Sequence, residues 1–270
     1  MVTLLAVLAL GLFHTPALAD PAPTSGLCTL ATPAGAGCDA IRARAVLDAA
    51  RPPYAAIGRV NYAGGDIRSH CTGVLVGRRQ VLTVAHCLWN GARKRWIPAE
   101  SLIFVAGYQS GGHVAASPVA AARLSPQASA DSDSFAIDPA HDWALLTLRD
   151  PLGDTIPPLP LFQGRLRLAG AGTATLAGYA GLRPHVLTRA DDCGRPLTVG
   201  GALLAACSAM PGDSGAPLLW QGRDGTGREG LFILGLATAV SAETAPYTTR
   251  FAPWFRLRDA VETATESSGN

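Results

Sequence analysis

Short apolar segments separated by turns recur along this chain from residue 55 onward. Glycine and proline, at 30 and 20 of the 270 residues, supply the turn-forming positions between these segments. The segments do not alternate with helical patterns, so the rhythm of a parallel βαβ sheet is missing. The pattern favours an all-β protein built as a sandwich or as barrels. The predicted strands are residues 56–62, 71–76, 81–85, 102–105, 144–148, 174–178, 216–220 and 231–240.

The two ends of the chain have a different character from this β region. Residues 1–19 carry no Lys, Arg, Asp or Glu, their apolar run is too short to span a bilayer, and Ala-Leu-Ala at 17–19 fits a small-x-small cleavage site. We therefore predict a signal peptide at 1–19, with a buried first helix as the alternative. Residues 20–54, with a short helix predicted at 38–50, form either a propeptide or an ordered amino-terminal arm. A terminal helix is predicted at about 253–265.

Composition excludes several classes of partner. The net charge of +2 gives no electrostatic reason to expect nucleic acid or an anionic membrane. No segment after the signal peptide has the length and apolarity of a membrane span, and nothing indicates oligomerisation, so we expect a monomer free of the membrane.

The cysteine pattern points to export. The spacing of the cysteines offers no zinc-ligand pattern, so we expect disulfides formed in a secreted or periplasmic protein, with no metal and no cofactor. Asp131-Ser132-Asp133 could bind calcium, but an acidic surface loop is the simpler interpretation. The six cysteines are Cys28, Cys38, Cys71, Cys87, Cys193 and Cys207.

A candidate nucleophile lies in the sequence Gly-Asp-Ser-Gly at 212–215. Glycine on both sides allows a tight backbone path that other residues cannot follow, and such a path can aim successive N–H groups into one concavity. A serine hydroxyl beside such donors is what acyl transfer requires, which makes Ser214 the candidate nucleophile. The same four residues could also form an ordinary turn.

Two further residues could complete a catalytic set with Ser214. His86 ends a predicted hairpin strand, and Cys71 and Cys87 lie on the two arms of that hairpin, so a disulfide between them would brace the histidine. Asp142 immediately precedes an apolar segment and could be a buried carboxylate that orients an imidazole, or only a solvated strand cap. A strand would point the neighbouring His141 to the opposite face, so His141 is expected to be a bystander.

The chain order His, Asp, Ser is that of one known class of acyl-transfer enzyme. Thr-Val-Ala-His-Cys at 83–87, Asp-Trp-Ala-Leu-Leu at 142–146 and Gly-Asp-Ser-Gly-Ala-Pro at 212–217 resemble the three signatures of the trypsin-like (chymotrypsin-fold) serine peptidases. The chain is most similar in character to exported bacterial trypsin-like and glutamyl-endopeptidase-like members. The resemblance covers residues 55 to 265.

The resemblance implies a fold and a site. The fold would be all-β, with two six-stranded antiparallel β-barrels at about 55–157 and 158–252, a C-terminal helix, and the active site in the cleft between the barrels. The backbone N–H groups of Gly212 and Ser214 would form the oxyanion hole. Cys193 and Cys207 would form the second-barrel disulfide, which leaves Cys28 to pair with Cys38.

Departures from the family pattern bear on activation and specificity. No Ile-Val-Gly-Gly precedes the first barrel, so activation by a new amino terminus that pairs with Asp213 is not evident, although cleavage after Arg44 is conceivable. The pocket-base position is Ser208, which offers no countercharge to Arg or Lys. The expected substrate-binding residues, in which Val240 would narrow the pocket, are Ser208, Ala209, Thr238 and Val240.

The sequence therefore predicts a secreted serine endopeptidase with His86, Asp142 and Ser214 as its triad. Its partner would be a protein or peptide substrate with a small or medium apolar P1 residue. A catalytically silent binding module on the same fold and an esterase with the same triad are the alternatives.

Overall fold

The computed structural model describes residues 27–63, 68–128, 135–166, 172–241 and 248–267. The predicted signal peptide at 1–19 and the acidic segment at 131–133 lie outside these ranges. Within the described residues, no helix is long and apolar enough to cross a membrane.

An amino-terminal arm precedes the β region and packs on the second half of the molecule. Its described part, residues 27–54, contains helix α1 (Ala36–Ala43) and the two-residue strand β1 (Ala45–Val46), which pairs with Thr188 and Arg189. The helix is shorter than the predicted 38–50 because the chain leaves it at Arg44 to make this pairing.

The first half is a closed antiparallel barrel of six strands in the order β2-β3-β4-β9-β8-β7. Strands β5 and β6 form a separate two-stranded hairpin, on which the side chains of Trp89 and Trp96 meet edge to face. The strands of this half are β2 (Ile57–Ala63), β3 (Arg68–Leu75), β4 (Gln80–Thr83), β5 (Trp89–Asn90), β6 (Arg95–Trp96), β7 (Leu102–Ala106), β8 (Ala115–Leu124) and β9 (Ala144–Leu148).

The second half is a curled antiparallel sheet in the order β1-β11-β10-β14-β15-β16-β13-β12, followed by a terminal helix. The arm strand β1 is thus one edge of this sheet. The elements of this half are β10 (Thr173–Gly178), β11 (Thr188–Ala190), β12 (Leu197–Val199), β13 (Ala202–Ala205), β14 (Pro217–Arg223), β15 (Glu229–Val240), β16 (Thr249–Pro253) and helix α2 (Trp254–Ser267).

The structure has two large apolar cores, one of which continues from the barrel into the second half, while the other lies within the second half. Along β7 the side chains alternate between buried and more exposed positions, with Leu102, Phe104 and Ala106 buried in the barrel. Burial of one face of a strand in this way is the main favourable term in folding. The second core contains Leu218, Phe232 and Phe251 from three neighbouring strands.

The predicted fold class is confirmed: the protein is mostly β, with two β-halves and a carboxyl-terminal helix. The second half differs from the expected six-stranded barrel because the edge strands β1 and β12 extend its sheet to eight strands. Strand β8 was not predicted, because its sequence is rich in alanine and contains Pro118, both uncommon in strands.

Candidate active site

His86 is held at the end of the hairpin formed by β3 and β4. Strand β4 ends at Thr83, and a single 3₁₀ turn, Ala85–Leu88, carries the histidine, which therefore lies just beyond the strand end expected from the sequence. The disulfide between Cys71 on β3 and Cys87 ties the turn to the strand, with Cα atoms 6.3 Å apart. The disulfide therefore restrains the turn that carries the imidazole.

Asp142 meets this histidine from the start of β9. It follows the 3₁₀ turn Pro139–His141, and only 3% of its surface is exposed. One carboxylate oxygen lies 2.6 Å from Nδ1 of His86, and the other accepts the backbone N–H of the same residue at 3.0 Å. A carboxylate can only accept here, so it fixes the imidazole proton on Nδ1. His141 is 3.7 Å from Asp138 and takes no part in this contact.

Ser214 completes the set from the second half of the molecule. Its Oγ lies 2.9 Å from Nε2 of His86, within hydrogen-bond distance. With the imidazole proton on Nδ1, Nε2 is free to accept the hydroxyl proton. The three predicted residues therefore form one continuous hydrogen-bonded chain across the cleft.

The backbone around Ser214 needs its two glycines. Gly212 has φ +99° and Gly215 has φ +81°, a region that L side chains rarely adopt. A Cβ on Gly215 would also lie 2.2 Å from the Thr72 carbonyl oxygen. Within the described part of the chain, the N–H groups of Gly212 and Ser214 have no protein acceptor, whereas those of Asp213 and Gly215 bind the carbonyls of Met210 and Ala237.

Beside Ser214 lies a cavity of about 310 Å³, with His86 and Ser214 among its lining residues. Its described walls are mostly apolar, and Asp213, the charged residue among them, is paired with Arg44. Three of the predicted substrate-binding residues, Ala209, Thr238 and Val240, lie in this wall. The other described lining residues are Met210, Pro211, Ala237, Ala239 and Thr249.

Comparison with known proteins agrees with this geometry. Residues 71–226, more than half of the chain, match the family model described as a trypsin-like peptidase domain. The chain belongs to the trypsin-like peptidase family. Among solved structures, a Glu endopeptidase in complex with MPD matches with a TM-score of 0.58 and 17% sequence identity, over 80% of this chain and 95% of that one. That likeness shows the shared fold. No curated protein matches the sequence.

One predicted pocket residue of this trypsin-like domain faces elsewhere. The Ser208 hydroxyl lies 2.7 Å from the Asp192 carboxylate, outside the described lining of the larger cavity. Ser208 instead lines a neighbouring cavity of about 30 Å³, whose wall shares Ala209 and Val240 with the larger one. The absence of a charge at this position could be read from the sequence, but the direction of the side chain could not.

Thr72, a residue that the sequence did not single out, joins the two halves of the trypsin-like domain. Its hydroxyl donates to the carbonyl of Gly212 at 2.9 Å and accepts the N–H of Tyr179 at 3.1 Å. Its own N–H donates to the carbonyl of Ser214 at 2.8 Å. No motif marks this residue, because its partners are distant in sequence.

A second cavity of about 310 Å³ also adjoins His86 and Ser214, and it is lined in part by Tyr62, His70 and Trp89. Nε2–H of His70 donates to the Tyr179 carbonyl at 3.0 Å, since a carbonyl can only accept. Burial lowers the pKa of His70, and this hydrogen bond opposes the shift only in part. Burial likewise raises the pKa of Tyr179. The His70 side chain that lines this cavity is therefore uncharged at neutral pH.

The cysteines form three disulfides in the trypsin-like domain and its arm: Cys28–Cys38, Cys71–Cys87 and Cys193–Cys207. Potential ligand atoms of Cys71, His86 and Cys87 lie within 4.8 Å of one another. However, both sulfurs belong to the disulfide, and a metal would require thiolates. This cluster therefore supports the histidine and does not form a metal site.

Proposed function

We propose that this protein is a serine endopeptidase that cleaves peptide bonds through an acyl-enzyme. The observation that carries the proposal is the hydrogen-bonded chain from Asp142 through His86 to the Oγ of Ser214. This chain provides a nucleophile, a base and an orienting carboxylate within contact of one another. The adjoining cavity provides room for a substrate side chain.

The first half-reaction follows from these positions. Ser214 Oγ attacks the scissile carbonyl carbon while its proton passes to Nε2 of His86. The carbonyl oxygen becomes an oxyanion, for which the N–H groups of Gly212 and Ser214, which have no acceptor among the described residues, are the candidate donors. The tetrahedral intermediate then expels the amine, which takes the proton from His86, and an ester to Ser214 remains.

The second half-reaction uses the same groups with water as the nucleophile. Water attacks the ester carbonyl as its proton moves to Nε2 of His86, and the Ser214 oxygen leaves with that proton. Asp142 stabilises the imidazolium that forms in both halves. His86 starts each half as a base, because its Nε2 must accept a proton from Ser214 or from water.

The cavity wall supports a small or medium apolar residue at P1. Its described residues offer no unpaired charge to an acidic or basic side chain, and Val240, the last residue of β15, lines the cavity. A P1-scanning peptide library should therefore show preference for apolar residues. Preference for Arg, Lys or Glu would contradict this assignment.

Export to an oxidising compartment is part of the proposal, as is a monomer acting on protein or peptide substrates. Three disulfides and the apolar stretch at 2–13 support it. Detection of the protein in the periplasm or medium, shortened by the residues before Asp20, would test this part separately.

Labelling with a fluorophosphonate probe tests the catalytic proposal. The wild-type protein should react covalently, Ser214→Ala should not, and Ser101→Ala, an exposed serine that lines neither large cavity, should react as the wild type does. Failure of folded, processed wild type to react would favour the binding module. Turnover of small esters without cleavage of casein would favour the esterase.

A further inference from the structure

The amino-terminal arm is built into the domain beside the nucleophile loop. Cys28, Cys38 and Ile41 of the arm are buried and form one apolar cluster with Ala180 and Met210. Met210 belongs to the loop at 208–214 that ends in the nucleophile. Burial of apolar surface by both partners means that the arm and this loop stabilise one another.

Arg44, at the end of helix α1, reaches from the arm to the residue next to Ser214. Its two terminal nitrogens each lie 2.9 Å from a different carboxylate oxygen of Asp213. The side chains are 2% and 1% exposed, so the pair is fully buried. One of these nitrogens also donates to the carbonyl of Ser208 at 2.5 Å. The guanidinium thus contacts both ends of the loop at 208–214.

A buried carboxylate needs such a partner. An ionised group removed from water without an opposite charge is strongly destabilising, and a two-pronged guanidinium is the side chain best matched to a carboxylate. The second oxygen of Asp213 also accepts the N–H of Met210 at 3.2 Å. The direction of Asp213, and with it the backbone on either side, therefore depends on Arg44.

The same contacts argue against cleavage after Arg44. A protease would need the Arg44 side chain in its own pocket, yet this side chain is buried within the domain. The Arg44 carbonyl accepts a hydrogen bond from Arg183 at 2.6 Å, and Ala45 pairs with Arg189. A new amino terminus at Ala45 would also separate helix α1 from strand β1, which pairs with the sheet.

We propose that the arm remains in the working enzyme and that Arg44 is a positioning residue, whose two-pronged guanidinium supplies from inside the chain both the charge and the geometry that orient Asp213 and the nucleophile loop. This inference rests on the proposed peptidase function. It makes the arm part of the catalytic domain and removes the need for cleavage at residue 44. The propeptide, if one is removed, would then end before the arm helix.

Substitution of Arg44 tests the inference. Arg44→Met should lower the rate of fluorophosphonate labelling and kcat/KM by about 10²-fold or more, the size of effect seen when an oxyanion donor is lost. Arg42→Met is the matched control, because Arg42 lies on the same helix in an exposed ion pair with Asp39. It should label at the wild-type rate. Wild-type rates in folded Arg44→Met would overturn the proposal.

The variant Arg44→Lys distinguishes an effect on the position of Asp213 from a general loss of folding. Lysine keeps the charge but not the two-pronged geometry, so labelling should be about tenfold slower than in the wild type and clearly faster than in Arg44→Met. This variant also decides the matter if Arg44→Met does not fold. Labelling of Arg44→Lys at the wild-type rate would then overturn the proposal.

The mass of the active species provides an independent measurement. Protein labelled by the probe should retain residues 36–44, detected by intact mass and by amino-terminal sequencing. Labelled protein that begins at Ala45 or later would overturn the proposal. Failure of the wild type to label at all would instead count against the peptidase function, so the two failures are distinguishable.

Discussion

Thr72→Val removes the hydroxyl that connects the two halves of the domain while keeping the shape of the side chain. In the wild type this hydroxyl pairs with the Gly212 carbonyl and the Tyr179 N–H, and the Thr72 side chain is fully buried. Valine can make neither contact, so both backbone groups lose a partner. The perturbation is therefore confined to two hydrogen bonds behind the nucleophile loop.

The cost can be worked out from those two bonds. Each buried polar group left unpaired costs about 1–3 kcal/mol, so the free energy of unfolding should fall by about 2–6 kcal/mol. Gly212 is also a candidate oxyanion donor, and misplacement of catalytic groups by about 1 Å can cost about 10²-fold in rate. We therefore expect kcat/KM to fall by about that factor in the molecules that remain folded.

Urea unfolding and peptide kinetics at low temperature would measure the two effects separately. Ser117→Ala is the matched control, because the buried Ser117 hydroxyl also makes two hydrogen bonds to backbone groups, those of Pro118 and Asp150, and lines neither large cavity. It should lose stability but keep its kcat. Thr72→Ser, which restores the hydroxyl, should recover most of the free energy of unfolding and most of the kcat/KM.

Two results would refute this reasoning. Wild-type kcat/KM in folded Thr72→Val would mean that the contact does not position the nucleophile loop. An equal loss of kcat/KM in Ser117→Ala would mean that the loss reports stability alone.

Two further predictions concern the titratable groups of the site. Asp142→Asn should lower kcat by about 10⁴-fold with little change in fold, because an amide can hold the wrong imidazole tautomer; retained activity in a pH–rate profile would contradict this assignment. Burial lowers the pKa of His70 below its ordinary value of 6.5. Burial of the neutral imidazole therefore contributes to the free energy of unfolding at higher pH, and this contribution is lost as the pH falls below 6.5. His70→Gln should therefore reduce the difference in unfolding free energy between neutral and acidic solution, measured by urea titration at both pH values, and an unchanged difference would rule out this contribution.

The fold class and eight of the sixteen strands in the described residues could be read from local patterns. Strand β9 was predicted at its observed bounds, because a short and mostly apolar segment that ends before Arg149 and Asp150 is typical of a buried strand. Strand β8 was missed because it is held by backbone pairing with β7 and β9, which its own sequence does not reveal. Pro118 lies where pairing with β7 ends and pairing with β9 begins, which tolerates a residue without an N–H.

The sequence by itself determined which residues could carry the chemistry. A serine between glycines, a histidine braced by a hairpin disulfide and an aspartate before an apolar strand are local signals. Only the tertiary structure decided what holds them together. Arg44 and Asp213 are 169 residues apart, and Thr72 and Gly212 are 140 apart. No local pattern encodes such pairs, because a buried polar group takes its partner from whichever segment the fold brings to it.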